Sequence, residues 1–294
     1  MLQNDRLLAY AMILPVVFAV VAFVVGPTYN VGTLSLTKVV MGQEREFGTL
    51  GNFQALFADP VFGLVLKNTA IWILGGTVLC VTIGLGVGTF LAIDSRMTGW
   101  LRALILLPWV LPDVVTAMAW KWMLHGQVGI IGQSLHSSGL TESTVSFLGD
   151  PDMVMWVLVI VLVWRKMPLV ALILCAAIRS VPDDQLEAAR MDGANAVERF
   201  RFIVLPNIAF SLTAVTVISM IWITAEFALP WIMTGGGPAN SSQIMATYIY
   251  QQSFQFFNWG VASAMSVVNL FMLASIVALY LYINRRSWAT ADAK

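Results

Sequence analysis

Six apolar runs, at roughly 8–30, 68–93, 101–124, 153–178, 207–230 and 260–283, limit what this chain can become. A run of about 18 or more apolar residues is long enough, at helical rise, to cross the hydrocarbon core of a bilayer. Within hydrocarbon a helix satisfies all of its own backbone polar groups. With 59% hydrophobic and only 11% charged residues, too few charges remain to cover a water-facing surface. The chain is therefore expected to be an all-α integral membrane protein with six transmembrane helices, forming a single domain over residues 1–294. The third run is the least regular, since Pro112 and Asp113 interrupt "LILLPWVLPDVVTAMAW". Bilayer helices accommodate such a proline where neighbouring helices take up the freed backbone groups.

Arg6 followed by "LLAYAMILPVVFAVVAFVV" has the outline of a secretory signal. Its apolar core exceeds the usual length of about 7–15 residues and no small-x-small cleavage site follows, so it reads as a retained first helix. The linkers at 38–66, 125–152 and 231–259 are rich in Gly, Pro, Asn and Ser, as in "TGGGPANSS", and read as loops. Orientation follows from the cations. Arg6, Arg96, Arg102, Arg179, Arg190, Arg199, Arg201, Arg285, Arg286 and Lys294, ten in all, fall on the side of the N-terminus. Lys38, Arg45, Lys67 and Lys121, four in all, fall on the other, while Arg165 and Lys166 lie inside the fourth span. Both termini and the 179–206 segment of this multi-pass protein are thus expected in the cytoplasm.

Trp100, Trp122, Trp259 and Tyr282 stand near span ends, where aromatic side chains meet the lipid headgroups. Gly84 and Gly88 are four apart, which suits close packing of two helices. No strand precedes them, so they do not form a nucleotide loop. Cys80 and Cys175 both sit in apolar runs and are expected as buried thiols. His125 and His136 are isolated in a polar loop and are expected to be solvated, with no metal site. No internal repeat is visible. The sequence has no G-x-x-x-x-G-K-[ST], H-E-x-x-H or G-x-S-x-G, so no enzyme site or bound cofactor is expected on this chain. A net charge of +0 and the absence of Lys/Arg runs give no reason to expect nucleic acid.

Against this apolar background, "EAARMDGANAVERFRFIVLP" at 187–206 is dense in charge. "VPDDQLEAARMDG" reads as a short helix: Pro182 suits its first turn, Asp183, Asp184 and Glu187 favour the positive end of its dipole, and Gly193 suits a left-handed stop. Asn195 and Glu198 then form a capping box for a second helix. Val197, Phe200 and Val204 are expected to form its apolar stripe. Physics alone leaves two accounts open. The segment is either a linker folded on its own membrane domain or a pair of docking helices for a soluble partner.

The spacing E-A-A-x3-G-x9-I-x-L-P is met by Glu187, Ala188, Ala189, Gly193, Ile203, Leu205 and Pro206. It resembles the EAA loop of binding-protein-dependent ABC importer permeases. "DGA" at 192–194, "ILLPWVLP" at 105–112 and "TGGGPANSS" at 234–242 are similar to the maltose-type, carbohydrate branch, and the likeness runs from about residue 10 to 285. The resemblance implies the six-helix fold of type I importer permeases. It also implies that Glu187, Ala188, Ala189, Asp192 and Gly193 couple the chain to an ATP-binding-cassette ATPase dimer, with ATP and Mg on that partner. The other implied partners are a second permease subunit on a different chain, an extracytoplasmic solute-binding protein, membrane lipid and a carbohydrate-like solute, and the implied location is a bacterial-type inner membrane.

Charges inside a span must face protein or water, which marks Asp113, Arg165, Lys166 and Glu226 as candidates for a functional site. In the maltose-type relatives sugar is held by the helices before and after the EAA loop. The resemblance carries those places onto Trp164, Arg165, Lys166, Leu169, Ser219, Ile223 and Glu226. Ser219, Ile223 and Glu226 keep i, i+4 and i+7 spacing, expected to share one helix face. The apolar face of a sugar ring would pack on Trp164, while its hydroxyls seek polar groups. Arg165, Lys166 and Glu226 depart from the uncharged residues of the maltose pattern. Arg165 and Glu226 either form a structural ion pair or grip a polyol, sugar acid or phosphorylated ligand. The alternative function is an ion-coupled carrier acting without an ATPase, which would call for inverted repeats and paired broken helices.

Overall fold

The computed structural model describes residues 2–40, 43–141 and 143–289, without the side chains of 2–9, 11, 39–40, 43–46 and 285–289. Of the cations that set the expected orientation, Arg6, Arg45, Arg285, Arg286 and Lys294 lie outside these described residues or side chains. Among the described residues the regular elements are helices apart from one short hairpin. The helices used below are α1 (Met12–Ser35), α2 (Gly51–Ala58), α3 (Pro60–Leu91), α4 (Arg96–Val110), α5 (Asp113–Met123), α6 (Ile130–Ser137) and α7 (Val154–Arg179). They continue as α8 (Asp183–Met191), α9 (Ala196–Asn207), α10 (Ala209–Thr224), α11 (Ala228–Thr234), α12 (Met245–Tyr250) and α13 (Trp259–Asn284).

Four of these, α1, α3, α7 and α13, are each long and apolar enough to cross a membrane. The pairs α4 with α5 and α9 with α10 are each bent, by 90° and 70°, and counting each pair as one span gives the expected six. The chain divides into two compact units. The first comprises residues up to Gly63 together with Tyr248–Phe271. Its α1 is apolar on every face, as hydrocarbon requires, and none of its most apolar window is buried within the chain. The hairpin pairs Thr37–Val40 antiparallel with Gln43–Phe47. The Asn52 amide donates toward the carbonyls of Leu34, Ser35 and Thr37 at 3.3, 3.0 and 2.8 Å, satisfying groups that the end of α1 leaves free. Tyr248 donates its hydroxyl to the Asp59 carboxylate. Burial, helped by that carboxylate, pushes its phenol up to about 12, so it stays a protonated donor.

The second unit, Leu64–Thr247 with residues from Met272 onward, holds the larger core. Helix α7 runs through it, with 61% of its most apolar window buried. Trp72, Leu158, Leu162, Leu174, Ile223, Leu229 and Met233 are buried in one cluster. Cys80 and Cys175 are buried and free. Gly84 and Gly88 are where α3 meets α7. A Cβ at Gly88 would lie 2.7 Å from the Ala171 carbonyl oxygen and 3.1 Å from the Cys175 nitrogen, and one at Gly84 2.8 Å from Val170 Cγ1. The two backbones approach as only glycine permits. Gly88→Ala is therefore expected to force the helices apart at a cost of about 1–3 kcal/mol. It should lower the thermal midpoint of the purified protein, whereas Gly86→Ala, with nothing within 4 Å of its added Cβ, should not.

Three prolines account for the breaks, and two corrections follow. Pro112 follows Leu111 in extended conformation (ψ 136°), which separates α4 from α5. Pro206 has no N–H, and the turn before it, Phe200–Val204, widens to a π-helix before the chain bends into α10. Pro230 would clash with the carbonyl of Glu226 in a continuous helix. Accordingly α10 stops at Thr224 and α11 starts at Ala228, so the fifth span does not run unbroken over 207–230. The linkers read as loops also contain α2, α6 and α12 and the hairpin, because their short apolar stretches fold once packing supports them.

Candidate functional site

Two sites emerge, a charged cavity among broken helices and the polar segment after α7. The segment's local structure follows closely from its sequence. Pro182 caps α8 from outside rather than sitting in its first turn. At the other end the Gly193 N–H bonds the Arg190 carbonyl at 3.1 Å and the Ala194 N–H the Ala189 carbonyl at 2.9 Å. These are the two bonds of a Schellman motif, with Gly193 at the left-handed position, φ +84°. The motif places its left-handed residue four after the residue whose carbonyl it closes on. That geometry explains the spacing A-x3-G between Ala189 and Gly193.

The second helix begins as expected. Asn195 Oδ1 accepts from the N–H groups of Val197 and Glu198 at 2.9 and 3.0 Å, and Glu198 Oε2 accepts from the Asn195 N–H at 2.8 Å. The expected stripe is shortened, however. Val197 is exposed and the buried side starts at Phe200, where the π turn begins. Val181, Val204 and Ile208 form a small core beneath the segment, joined by Leu85, Ala177, Leu186 and Phe200. The Asn207 amide donates to Gln185 Oε1 at 3.0 Å, and Arg179 donates to Asp94 at 2.6 Å. The two short helices are thus rooted on the ends of α3 and α7. Glu187, Ala188, Asp192 and Gly193 face outward, Ala189 is half-buried, and the apolar side chains of Met191 and Val197 stand 88% and 74% exposed.

The cavity, of about 600 Å³, is lined by Trp109, Asp113, Lys166, Trp222 and residues 225–228. Its walls are the break between α4 and α5, one turn of α7, and the break between α10 and α11. Irregular backbone at membrane depth is tolerated where it lines such a cavity or is covered by protein. Arg165 is 8% exposed, and its guanidinium contacts the Asp113 carboxylate, lies 3.5 Å from Glu226 and donates to the Leu111 carbonyl at 3.5 Å. Lys166 Nζ is 2.7 Å from Glu226 Oε2. The expected Arg165–Glu226 pair is therefore one contact in a four-membered cluster, whose shorter contacts are Arg165–Asp113 and Lys166–Glu226. Lys121 Nζ reaches the Ile232 carbonyl at 2.9 Å and ties α5 to α11.

Of the residues named from sequence, Lys166 and Glu226 line the cavity and Arg165 stands behind them. Ser219 and Ile223 are buried in the core. Ser219 donates to the Val215 carbonyl at 2.7 Å, and the Ile223 carbonyl accepts from Trp72 Nε1 at 2.9 Å. Glu226 does not share their face, because α10 has ended before it. Trp164 packs edge-on against Trp120 with ring centroids 5.4 Å apart; neither it nor the half-buried Leu169 is among the lining residues. Sequence reasoning passed over Trp109, Trp222 and Phe227. Their signal was available, since each is an aromatic beside a helix-breaking proline or the turn that Pro230 imposes. His125 uses its Nδ1 to accept backbone N–H groups of Gln127 and Val128 at 3.3 and 3.4 Å, a turn contact.

Comparison with known proteins fits this geometry. Residues 81–288 match the family of binding-protein-dependent transport system inner membrane components. A probable ABC transporter permease protein of Brucella suis biovar 1 (strain 1330) is 31% identical, over 97% of this chain and 99% of its own. A trehalose/maltose transport system permease protein of Thermococcus litoralis is 29% identical, over 96% and 95%. In the crystal structure of a bacterial alginate ABC transporter in complex with alginate pentasaccharide-bound periplasmic protein, one chain superposes with a TM-score of 0.82. The two are 22% identical, and the match covers 96% of each. With 208 of its 294 residues matched to the family, this chain belongs to the binding-protein-dependent transport system inner membrane components, the membrane-embedded permeases of ABC transporters.

Proposed function

We propose that this chain is the permease subunit of an importer for a sugar or sugar-like solute, driven by a separate ATPase that docks on α8 and the start of α9. The observation that carries the reading is the cavity, where three aromatic side chains and three ionisable ones converge between broken helices. Sugars present apolar C–H faces beside hydroxyls, and such a mixed lining suits both. The trehalose/maltose relative supports the same solute class. At the other site, Met191 and Val197 are apolar, exposed and adjacent to charge, which suits a protein contact better than a solvated linker. The complex would include a second permease, an ATPase dimer that carries the ATP and Mg, and an extracytoplasmic solute-binding protein.

Proteoliposomes holding the whole complex should take up radiolabelled sugar only with ATP inside and binding protein outside. Uptake by this chain alone, driven by an ion gradient, would instead establish the carrier alternative. Orientation has its own test, eased by the burial of both native thiols. Ser137 and Ser180 are exposed, near the ends of α6 and α7. Cysteine at Ser137 should react with an impermeant thiol reagent in intact cells, and cysteine at Ser180 should not. The reverse pattern would invert the proposed topology.

A further inference from the structure

We propose that the cavity admits an uncharged polyhydroxylated solute and turns away anions, because both of its cations are already neutralised by its own carboxylates. This deepens the sugar-importer reading and rests on it. The cluster holds two cations, Arg165 and Lys166, and two carboxylates, Asp113 and Glu226, so its net charge is zero. Their placement matters more than the sum. Asp113, Lys166 and Glu226 line the cavity, whereas Arg165 is buried behind them and is not part of the wall. A solute therefore meets two negative groups and one positive.

A carboxylate or phosphate on the solute would have to displace Glu226 from Lys166, 2.7 Å away, and would then lie beside both carboxylates. Like charges so placed oppose binding. A hydroxyl meets no such conflict. It donates to Asp113, whose side chain is 41% exposed, and accepts from Lys166, which has three donors and commits one to Glu226. Trp109 and Trp222 offer planes for ring C–H faces.

The test uses the detergent-purified complex of this chain, its partner permease and its ATPase, without binding protein, so that selection by that protein is removed. Binding is followed by isothermal titration with glucose, sorbitol and maltose and with gluconate and glucuronate. Neutral members should bind at least about tenfold more tightly than their acids, since like-charge contacts cost several kcal/mol. Glu226→Gln leaves a cation unmatched and should narrow or invert that ratio; Asp113→Asn serves if the first variant does not assemble. An acid bound more tightly than its neutral parent by the unaltered complex overturns the proposal. So does an unchanged ratio in the assembled variants, or no binding of any panel member by a complex that still holds its ATPase. Loss of the ATPase from the unaltered complex would sink the importer reading itself.

Discussion

Glu226→Ala is expected to reduce assembled complex severely, and by more than Arg165→Ala does. Glu226 is 5% exposed and contacts both cations of the cluster. Removing it leaves two positive charges facing Asp113 alone. Breaking a buried pair by deleting one partner costs about 3–5 kcal/mol, because the remaining charge is left uncompensated. Arg165→Ala is milder, since Lys166 still serves Glu226 and the 41%-exposed Asp113 side chain can be hydrated. The double variant Arg165→Ala with Glu226→Ala restores neutrality and should recover part of the loss, a positive coupling between adjacent sites. Membrane abundance and thermal midpoint of the four complexes measure this. Wild-type assembly in Glu226→Ala would mean that the cluster holds no structural role.

The part of this cluster legible in sequence was its membership. Charges within apolar runs stand out, and Asp113, Arg165, Lys166 and Glu226 were all visible as candidates. Of the pairings only Arg165–Glu226 was legible; the contacts of Arg165 with Asp113 and of Lys166 with Glu226 were not, because they depend on two helix breaks that bring Leu111–Asp113 and Glu226 to the same turn of α7. Pro112 announced the first break. Pro230 announced the second, but its effect falls four residues upstream, on the carbonyl of Glu226. Glu226 was placed on the face of Ser219 and Ile223 for the same reason, since periodicity counted through a break keeps a face that the chain has abandoned. The segment after α7 was more legible, because caps and Schellman stops are local motifs. Its π turn was not, nor was the exposure of Val197.

Gly193→Val is expected to abolish most transport while leaving the protein inserted. Gly193 has φ +84°, and a Cβ there would meet nothing within 4 Å, so the penalty is conformational rather than steric crowding by neighbours. For an L-residue it is roughly 1–2 kcal/mol, with a β-branched side chain at the unfavourable end. That is too little to unfold a membrane protein with the core around α7. It is enough to swing α9 away from the angle that the two Schellman bonds hold, and so to misplace Glu187 and Met191 relative to the start of α9. Gly193→Asn supplies the control, since asparagine tolerates the left-handed region, and it should retain much of the transport. Equal loss in both variants would point to a need for a bare backbone at the contact.

The central claim is that the segment from Asp183 to Arg199 carries the force of ATP hydrolysis to the cavity. The most direct measurement is the number of solute molecules imported per ATP hydrolysed, taken in the same proteoliposomes for the unaltered complex, Gly193→Val and Glu187→Lys. Membrane abundance of each is measured alongside. Uptake should fall sharply in both variants at normal abundance, either with the ATPase lost from the complex or with hydrolysis persisting uncoupled from import. An unchanged ratio and normal uptake in both would contradict the claim and return the segment to an ordinary linker.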